Sequence, residues 1–402
     1  MTNVTLFSQI ISKIDRNIFY RVVRKHHSDK YNKGINSWNH LVSMLFCQFA
    51  KAESLRDISN GLRSATGNLN HLGLSRAASK SSLSYINAHR SSELFRDLYF
   101  ELLNDFHVKT GISLKKFKIK DRHILLLDSS TVSLCLSLFN WAHYRTTKGA
   151  VKLHTLLDYD GCIPLYVHIS DGKTGDNTAA KWMDIPSGSV VVADRYYCDF
   201  DLLNIWDSRK DNISYVVRHK GNLNYTMIEE FELPPDTDQD ILIDGKIILN
   251  TPSVIKKYPQ TLRHIAVYNA EKNETINLLT NNLFWTARQI ADLYQARWHI
   301  ESFFKDIKQL LKIKSFVGTS ENAVKIQIWV ALITIMILKY LKYLAKYDWH
   351  LSNLVGFIRL NLFVKINLQQ WLDKPFEDDV GIKNSNQMGI QFEKHHTSSI
   401  TH

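Results

Sequence analysis

Two short apolar runs, each ending on an aspartate, constrain this chain more than any other feature. His123–Leu127 runs into Asp128, and Ser189–Ala193 runs into Asp194. Continuous apolar stretches of this length suit strands buried on both faces in the middle of a sheet, since a half-exposed strand alternates apolar and polar residues. Between them, Val151–Asp158 and Ile163–Ile169 flank Asp160-Gly161, a dipeptide that closes tight hairpins. Thr178–Met183 reads as a short helix, Phe200–Asp207 as a second, and Ile213–Arg218 as a further strand.

The order strand, two-stranded hairpin, helix, strand, helix resembles the ribonuclease-H-like arrangement, in which the first and fourth strands lie side by side. That arrangement implies that Asp128 and Asp194 are neighbours. The expected fold class is therefore α/β, with a ribonuclease-H-like catalytic core over residues 121–221 and 284–345. A β-rich insertion is expected at 222–283, with Asp244-Gly245 as a turn and Pro234-Pro235 in a linker. Residues 346–402 are read as a C-terminal helical segment followed by a polar tail.

Residues 1–120 lack strong strand signals, and apolar residues recur at three- and four-residue spacing in Trp38–Ala52 and Ser91–Phe106, so an all-helical region is expected. Within residues 54–89, Ser54–Arg63 and Ser79–His89 have the pattern of a helix-turn-helix, with Lys80, Ser81, Ser82, Ser84 and Tyr85 as candidate DNA contacts. Packing helices with polar N-termini have the same pattern. Charge favours the DNA reading: residues 1–120 hold 19 Lys and Arg against 8 Asp and Glu, so the whole formal excess of +11 lies there. Such a balance suits a polyanionic partner.

A composition of 45% apolar and 11% aromatic residues argues against disorder. Cys47, Cys135, Cys162 and Cys198 have neither C-x-x-C spacing nor zinc-finger histidines, so a reducing cytoplasm is expected. The apolar run Ile326–Leu338, interrupted by Gln327, is too short to span a bilayer and reads as a buried helix, and no membrane contact is expected.

The sharpest local pattern is Tyr294, Arg297, Glu301, Lys305 and Lys308. At about 100° per residue these fall within an arc of about 80° on one helix, opposite an apolar side that includes Ile300, Phe303, Phe304 and Ile307. A solvated charged face gives the same pattern. Likewise, Asp128 and Asp194 each have an alternative role as caps for the residues that follow. Three carboxylates from separate segments, however, form a set of hard oxygen donors suited to Mg²⁺ or Mn²⁺ and to two-metal phosphodiester chemistry.

With these blocks in view, the chain resembles DDE transposases of the insertion sequence 4 family. The resemblance is carried by Ile124–Ser130 around Asp128, Lys148–His154, Val190–Tyr197 around Asp194, and the signature Tyr-x2-Arg-x3-Glu-x6-Lys at Tyr294, Arg297, Glu301 and Lys308. It extends over about residues 120–345 and implies that Asp128, Asp194 and Glu301 hold two divalent ions, while Tyr294, Arg297 and Lys308 contact DNA. It further implies nicking of a transposon end, hairpin formation, hairpin opening and joining to target DNA by a dimer on DNA. Trp298 matches an aromatic position beside the family's glutamate and is a candidate for base stacking. Tyr196 stands where the family commonly has glycine.

Lys152, His154, Arg195 and Lys305 are further candidate DNA contacts, with Lys312 and Lys314 extending the cationic track. His143, His154 and His168 lack a compact metal-ligand spacing. Two alternatives share these residues: a metal-dependent nuclease without strand transfer, and a catalytically silent DNA-binding relative.

Overall fold

The structure is a computed structural model that describes residues 3–376 apart from 33, 112–121, 136, 140, 146–147, 210, 220, 234–238 and 314. Pro234-Pro235, Lys314 and the tail beyond residue 376 thus lie outside the described residues. The N-terminal part is built from α1 (Leu6–Ile11), α2 (Arg16–Lys25), α3 (Ser37–Ala50), α4 (Leu55–Ser64), α5 (Lys80–His89) and α6 (Glu93–Thr110). Side-chain caps fix several of these starts: Asp15, Asn36, Ser54 and Ser79 each accept a hydrogen bond from a backbone N–H in the first turn of the helix that follows.

The α4 helix buries Leu55, Ile58 and Leu62, as its spacing predicts. The connection to α5 spans residues 65–79, longer than the three or four residues of a compact helix-turn-helix. The extra length packs into the protein. Leu72 and Leu74 are buried, and Trp38 Nε1 donates to the Leu72 carbonyl at 2.8 Å.

After residue 121 come β1 (Ile124–Leu134), β2 (His143–Arg145), β3 (Lys148–Asp158), β4 (Ile163–Asp171), α7 (Asp176–Lys181), β5 (Val190–Ala193), α8 (Phe200–Ser208) and β6 (Ser214–Arg218). Then follow β7 (Tyr225–Glu230), β8 (Ile241–Leu249), α9 (Pro252–Ile255), β9 (Leu262–Asn269) and β10 (Glu274–Thr280). The chain closes with α10 (Ala287–Ala296), α11 (Trp298–Leu310), α12 (Glu321–Leu344), α13 (Leu351–Asn361) and α14 (Leu368–Asp373).

The strands form one ten-stranded sheet in the order β2-β3-β1-β5-β6-β10-β9-β8-β7, with β4 pairing β3. β1 and β5 are adjacent and parallel, with Leu127 opposite Ala193, and β6 continues the parallel set on the other side of β5. The strands of 222–283 extend this same sheet, since β10 pairs antiparallel with β6.

Two turn readings change. In the β3–β4 hairpin the left-handed residue is Cys162, at φ 48°, rather than Gly161, whose N–H instead donates to Asp158 Oδ2. Asp244-Gly245 is not a turn but lies within β8. There the buried Asp244 accepts two hydrogen bonds from Arg263, at 2.7 and 2.6 Å. Gly245 permits this path because a Cβ would collide with Met227 Sδ and the Glu229 carbonyl oxygen.

Both faces of the central strands β1, β5 and β6 are buried, and strand alternation divides them. Ile124, Leu126, Val190, Val192 and Val216 face the large core shared with α10–α14 and the N-terminal helices. Leu125, Leu127, Val191, Ala193 and Val217 face a second core with Leu202, Leu203 and Trp206 of α8. The α12 helix is long and apolar enough to cross a membrane, but it is buried from Ile326 to Leu338 and packs on α3, α5 and α6. Its buried Gln327 is satisfied by donating to the carbonyls of Lys312 and Ser315 and accepting from Val317 N. The α1 helix is tied to the segment after α13 as well: Leu6 N donates to Val364 O and Phe7 N to Leu362 O. A division at residue 120 thus separates helices that share one core with α12–α14.

Candidate active site

Sheet register and alternation place the carboxylates. Since Leu127 lies opposite Ala193, the next residues, Asp128 and Asp194, sit together at the same edge of two parallel strands. Both fall in phase with Leu126 and Val192, on the face covered by α10–α12. The α11 helix packs on β1, its apolar side burying Ile300, Phe303, Phe304 and Ile307, and this brings Glu301 over that edge.

The two aspartates also accept from the backbone N–H groups that follow them, as the capping alternative expects. Asp128 Oδ1 accepts from Ser129 N at 2.7 Å, and Asp194 Oδ1 accepts from Tyr196 N at 2.8 Å as N-cap of the short 3₁₀ turn Arg195–Tyr197.

Burial pushes the Asp128 carboxyl up to about 6, and the charges of Asp194 and Glu301 push the same way against the Ser129 N–H and the Arg297 guanidinium. Burial also raises Asp194, opposed by the Tyr196 N–H and Arg297. Arg297 lies between two of the acids, with Nη2 2.7 Å from Glu301 Oε1 and Nη1 3.9 Å from Asp128 Oδ2. In this arrangement, no three His, Cys, Asp or Glu groups among the described residues stand close enough to share a metal ion. The donor chemistry nevertheless fits a hard divalent cation: all three groups are carboxylates, and the acidic neighbours that add to the effect of burial on Asp128 exert a repulsion of the kind that a cation relieves.

The helix carrying the signature is interrupted. The α10 helix ends at Ala296 and α11 begins at Trp298, with Arg297 N donating to Tyr294 O and Ile300 N to Arg297 O in the tighter i to i+3 pattern. Arg297 itself keeps right-handed helical angles, φ −54° and ψ −26°, so one helix leads into the next through a single tightened turn. The Arg297 guanidinium lies 5.7 Å from the centroid of the Tyr294 ring, and Arg218 lines the same cavity as both. Lys308 Nζ donates to Thr131 O at 3.0 Å, tying α11 to β1 three residues beyond Asp128. Lys305, Trp298 and Arg195 are exposed, and Lys272 Nζ lies 5.0 Å from the centroid of the Trp298 ring. Beside them a cavity of about 460 Å³ is lined by Arg218, Lys272, Tyr294, Arg297 and Trp298 among others. Lys80 and Tyr85 are exposed on α5, in the N-terminal helices. Lys312 Nζ pairs with Glu53 at 3.7 Å.

His154 requires a correction, because it is 1% exposed and cannot meet DNA as placed. Its partner across the ladder is Ser129, and that of Lys152 is Thr131, so both point to the α7 side, away from Asp128 and Glu301. There Asp176 engages both, with Oδ1 3.2 Å from Lys152 Nζ and 3.4 Å from His154 Nδ1, while His154 Nε2 bonds Ser170 Oγ at 3.0 Å. Sequence reasoning missed Asp176. In the sequence it is an acid in the first turn of a short helix, a common placement with no mark of its long-range partners.

Burial alone would push the Asp176 carboxyl up, yet the polar groups of His154, Ser129 and Lys152 beside it outweigh burial and hold it at about 2. A carboxyl held lower in the folded than in the unfolded state contributes stability that is full above about pH 4 and is lost as pH falls through about 2. Asp176→Asn is accordingly expected to flatten the acid limb of a urea-midpoint profile in that window. An acid limb as steep as that of the unsubstituted protein would show that the network does not hold the carboxylate.

Residues 2–75 match a family described as "Domain of unknown function (DUF4372)". The chain is similar to "Putative transposase y4zB" of Sinorhizobium fredii, 31% identical over 215 residues, covering 53% of this chain and 59% of that protein. It is similar to "Probable transposase for insertion sequence element IS5377" of Geobacillus stearothermophilus, 28% identical over 236 residues, covering 58% and 61%. It is also similar to "Putative transposase for insertion sequence element IS4SA" of Synechocystis, 25% identical over 295 residues, covering 70% and 78%. The matched stretch thus spans less than two thirds of the first two relatives. Residues 119–337, more than half of the chain and the stretch that holds Asp128, Asp194 and Glu301, match the family described as "Transposase DDE domain", and the chain belongs to that family.

Proposed function

We propose that this chain is a cut-and-paste DNA transposase of the insertion sequence 4 type. The observation that carries the reading is the adjacency of Asp128 and Asp194 at one edge of parallel strands, with Glu301 brought over them by α11. Asp128, Asp194 and Glu301 would hold two divalent ions, Mg²⁺ or Mn²⁺, which when bound supply charge stabilisation for the attacking and leaving oxygens of an in-line displacement at phosphorus. No covalent protein nucleophile is needed.

Around them the chain's own residues orient DNA. Arg297 and Tyr294 meet the phosphate near the cleaved bond, and Lys305 and Arg195 offer exposed cations beside it. Trp298 supports an unpaired base where a strand end must bend into a hairpin. The N-terminal helices bind the double-stranded transposon end, and two copies of the chain on DNA hold the two ends together in the cytoplasm.

The test is a product assay with labelled end DNA, using the repeats that flank the gene, in Mg²⁺ or Mn²⁺. Nicked, hairpin and strand-joined products are expected. Cleaved strands without hairpin or joined species would establish a nuclease instead. Bound but uncut DNA in both metals would establish a silent binding protein.

A further inference from the structure

A groove of about 960 Å³ lies in the N-terminal region, far along the sequence from the carboxylates, between the loop of residues 26–35 and α5. The loop contributes Lys30 and Tyr31, the helix contributes Tyr85 and His89, and no Asp or Glu is among the described residues that line it. Tyr31 is 86% exposed and Tyr85 64% exposed, an unusual display of two large rings.

The described residues of the loop are held in place by their surroundings. Arg90 donates to the Ile35 carbonyl at 2.8 Å and pairs with Asp29 at 3.5 Å, and Asp29 Oδ1 accepts from Ser37 N at 2.7 Å and Ser37 Oγ at 2.8 Å. These contacts support a left-handed backbone at two non-glycine residues, His27 at φ 47° and Tyr31 at φ 60°. Such conformations persist where the surrounding structure over-determines them, and they are frequent at binding surfaces.

We infer that this groove seats the sugar–phosphate backbone of duplex DNA, so that end binding uses the 26–35 loop together with α5. The inference rests on the reading of the N-terminal helices as the end-binding part. Charge identifies the partner as an anion: the groove offers cations and hydroxyls without a lining carboxylate, within the 120 residues that carry the whole net charge of +11. Ring geometry favours backbone over unpaired bases. Tyr85 already stacks on His89, with centroids 4.2 Å apart and planes at 19°, and Lys30 Nζ lies 5.1 Å over the Tyr31 ring. The rings thus have one face occupied and present edges and hydroxyls, which serve phosphate oxygens.

The test measures binding of the full chain, in the presence of a chelator, to two labelled duplexes of equal length across a salt series. One duplex carries the terminal repeat and the other a random sequence. The triple variant Lys30→Ala, Tyr31→Ala, Tyr85→Ala is expected to bind both duplexes about tenfold more weakly, with a log Kd against log salt slope shallower by about one. Lys30→Glu alone changes an exposed residue, and it should move both quantities in the same direction even if the triple variant loses its fold. If both variants fold and bind like the unsubstituted protein, the groove is not the seat, while end binding as such survives. Loss confined to the repeat duplex would overturn the backbone assignment, and tighter binding of single strands than of duplex would overturn the duplex. If the unsubstituted protein binds no duplex, the end-binding reading fails and the groove fails with it.

Discussion

Replacing Asp128, Asp194 or Glu301 by alanine, one at a time, is expected to lower transposon-end cleavage by about a thousandfold or more while changing end binding only a few-fold. A metal-held transition state is stabilised by several kcal/mol, and each 1.36 kcal/mol is tenfold in rate. The basic N-terminal surfaces are untouched by these substitutions, so binding should persist. A second readout distinguishes the site from an ordinary polar cluster. The Asp128 carboxyl is held at about 6 by burial and by its acidic neighbours, above its unfolded value. Its ionisation therefore costs folding stability as pH rises from about 4 through 6, and that cost is fully present at neutral pH. In metal-free buffer Asp128→Asn should melt at a higher temperature than the unsubstituted chain, losing function while gaining stability. Cleavage retained by any one of the alanine variants, or loss of duplex binding by all three, would contradict the site.

The largest expected effect on stability lies elsewhere in the sheet. Asp244 and Arg263 are each 5% exposed in their side chains and joined by two short hydrogen bonds, and Arg263 also donates to the Trp285 carbonyl and lies 4.8 Å over the Phe231 ring. Asp244→Ala leaves a guanidinium buried without its counter-charge and is expected to cost about 3–5 kcal/mol. That is a large part of the 5–15 kcal/mol or so by which domains are stable. Replacing both partners by apolar residues, Asp244→Leu with Arg263→Met, should recover most of the loss, because the cost lies in the uncompensated charge. Thermal or urea unfolding of the single and double variants decides it. A single variant within about 1 kcal/mol of the unsubstituted protein would mean that water reaches Arg263.

These two sites differ in how far they can be read from the chain. The strands that end on Asp128 and Asp194 were legible because strands buried on both faces have to be apolar throughout, whereas the adjacency of the two acids followed only from the resemblance of the element order to the ribonuclease-H-like arrangement. Glu301 was legible through spacing, and the apolar positions of α11 are buried as that spacing requires. The Asp244–Arg263 pair was not. Asp-Gly is a turn dipeptide in isolation, and only a partner 19 residues away, together with the close approach of Met227 to Gly245, makes it part of a strand. The break at Arg297 has no proline or glycine to announce it. For Lys152 and His154 the direction of the side chains decided the outcome. A strand carries its residues alternately to two faces, and the local sequence does not say which face is shared with an acid on β1 and which with an acid on α7.

The burial of α12 has a consequence for how such a protein changes over evolutionary time. One helix near the C-terminal end of the chain is flanked by α3, α5 and α6 from the beginning, while α11, which brings Glu301 to the sheet, packs against it as well. A recombination that exchanged residues 1–120 for those of a relative would import three helices shaped for another partner surface, and would strip the apolar flank of α12 wherever the fit was poor. New end specificity is therefore more accessible through substitutions at exposed positions of the N-terminal helices outside the backbone groove, such as Lys80 on α5, than through exchange of the whole segment. Inheritance should treat the two ends of this chain as linked, with changes on α3 or α6 tracked by compensating changes on α12 some 220 to 290 residues later.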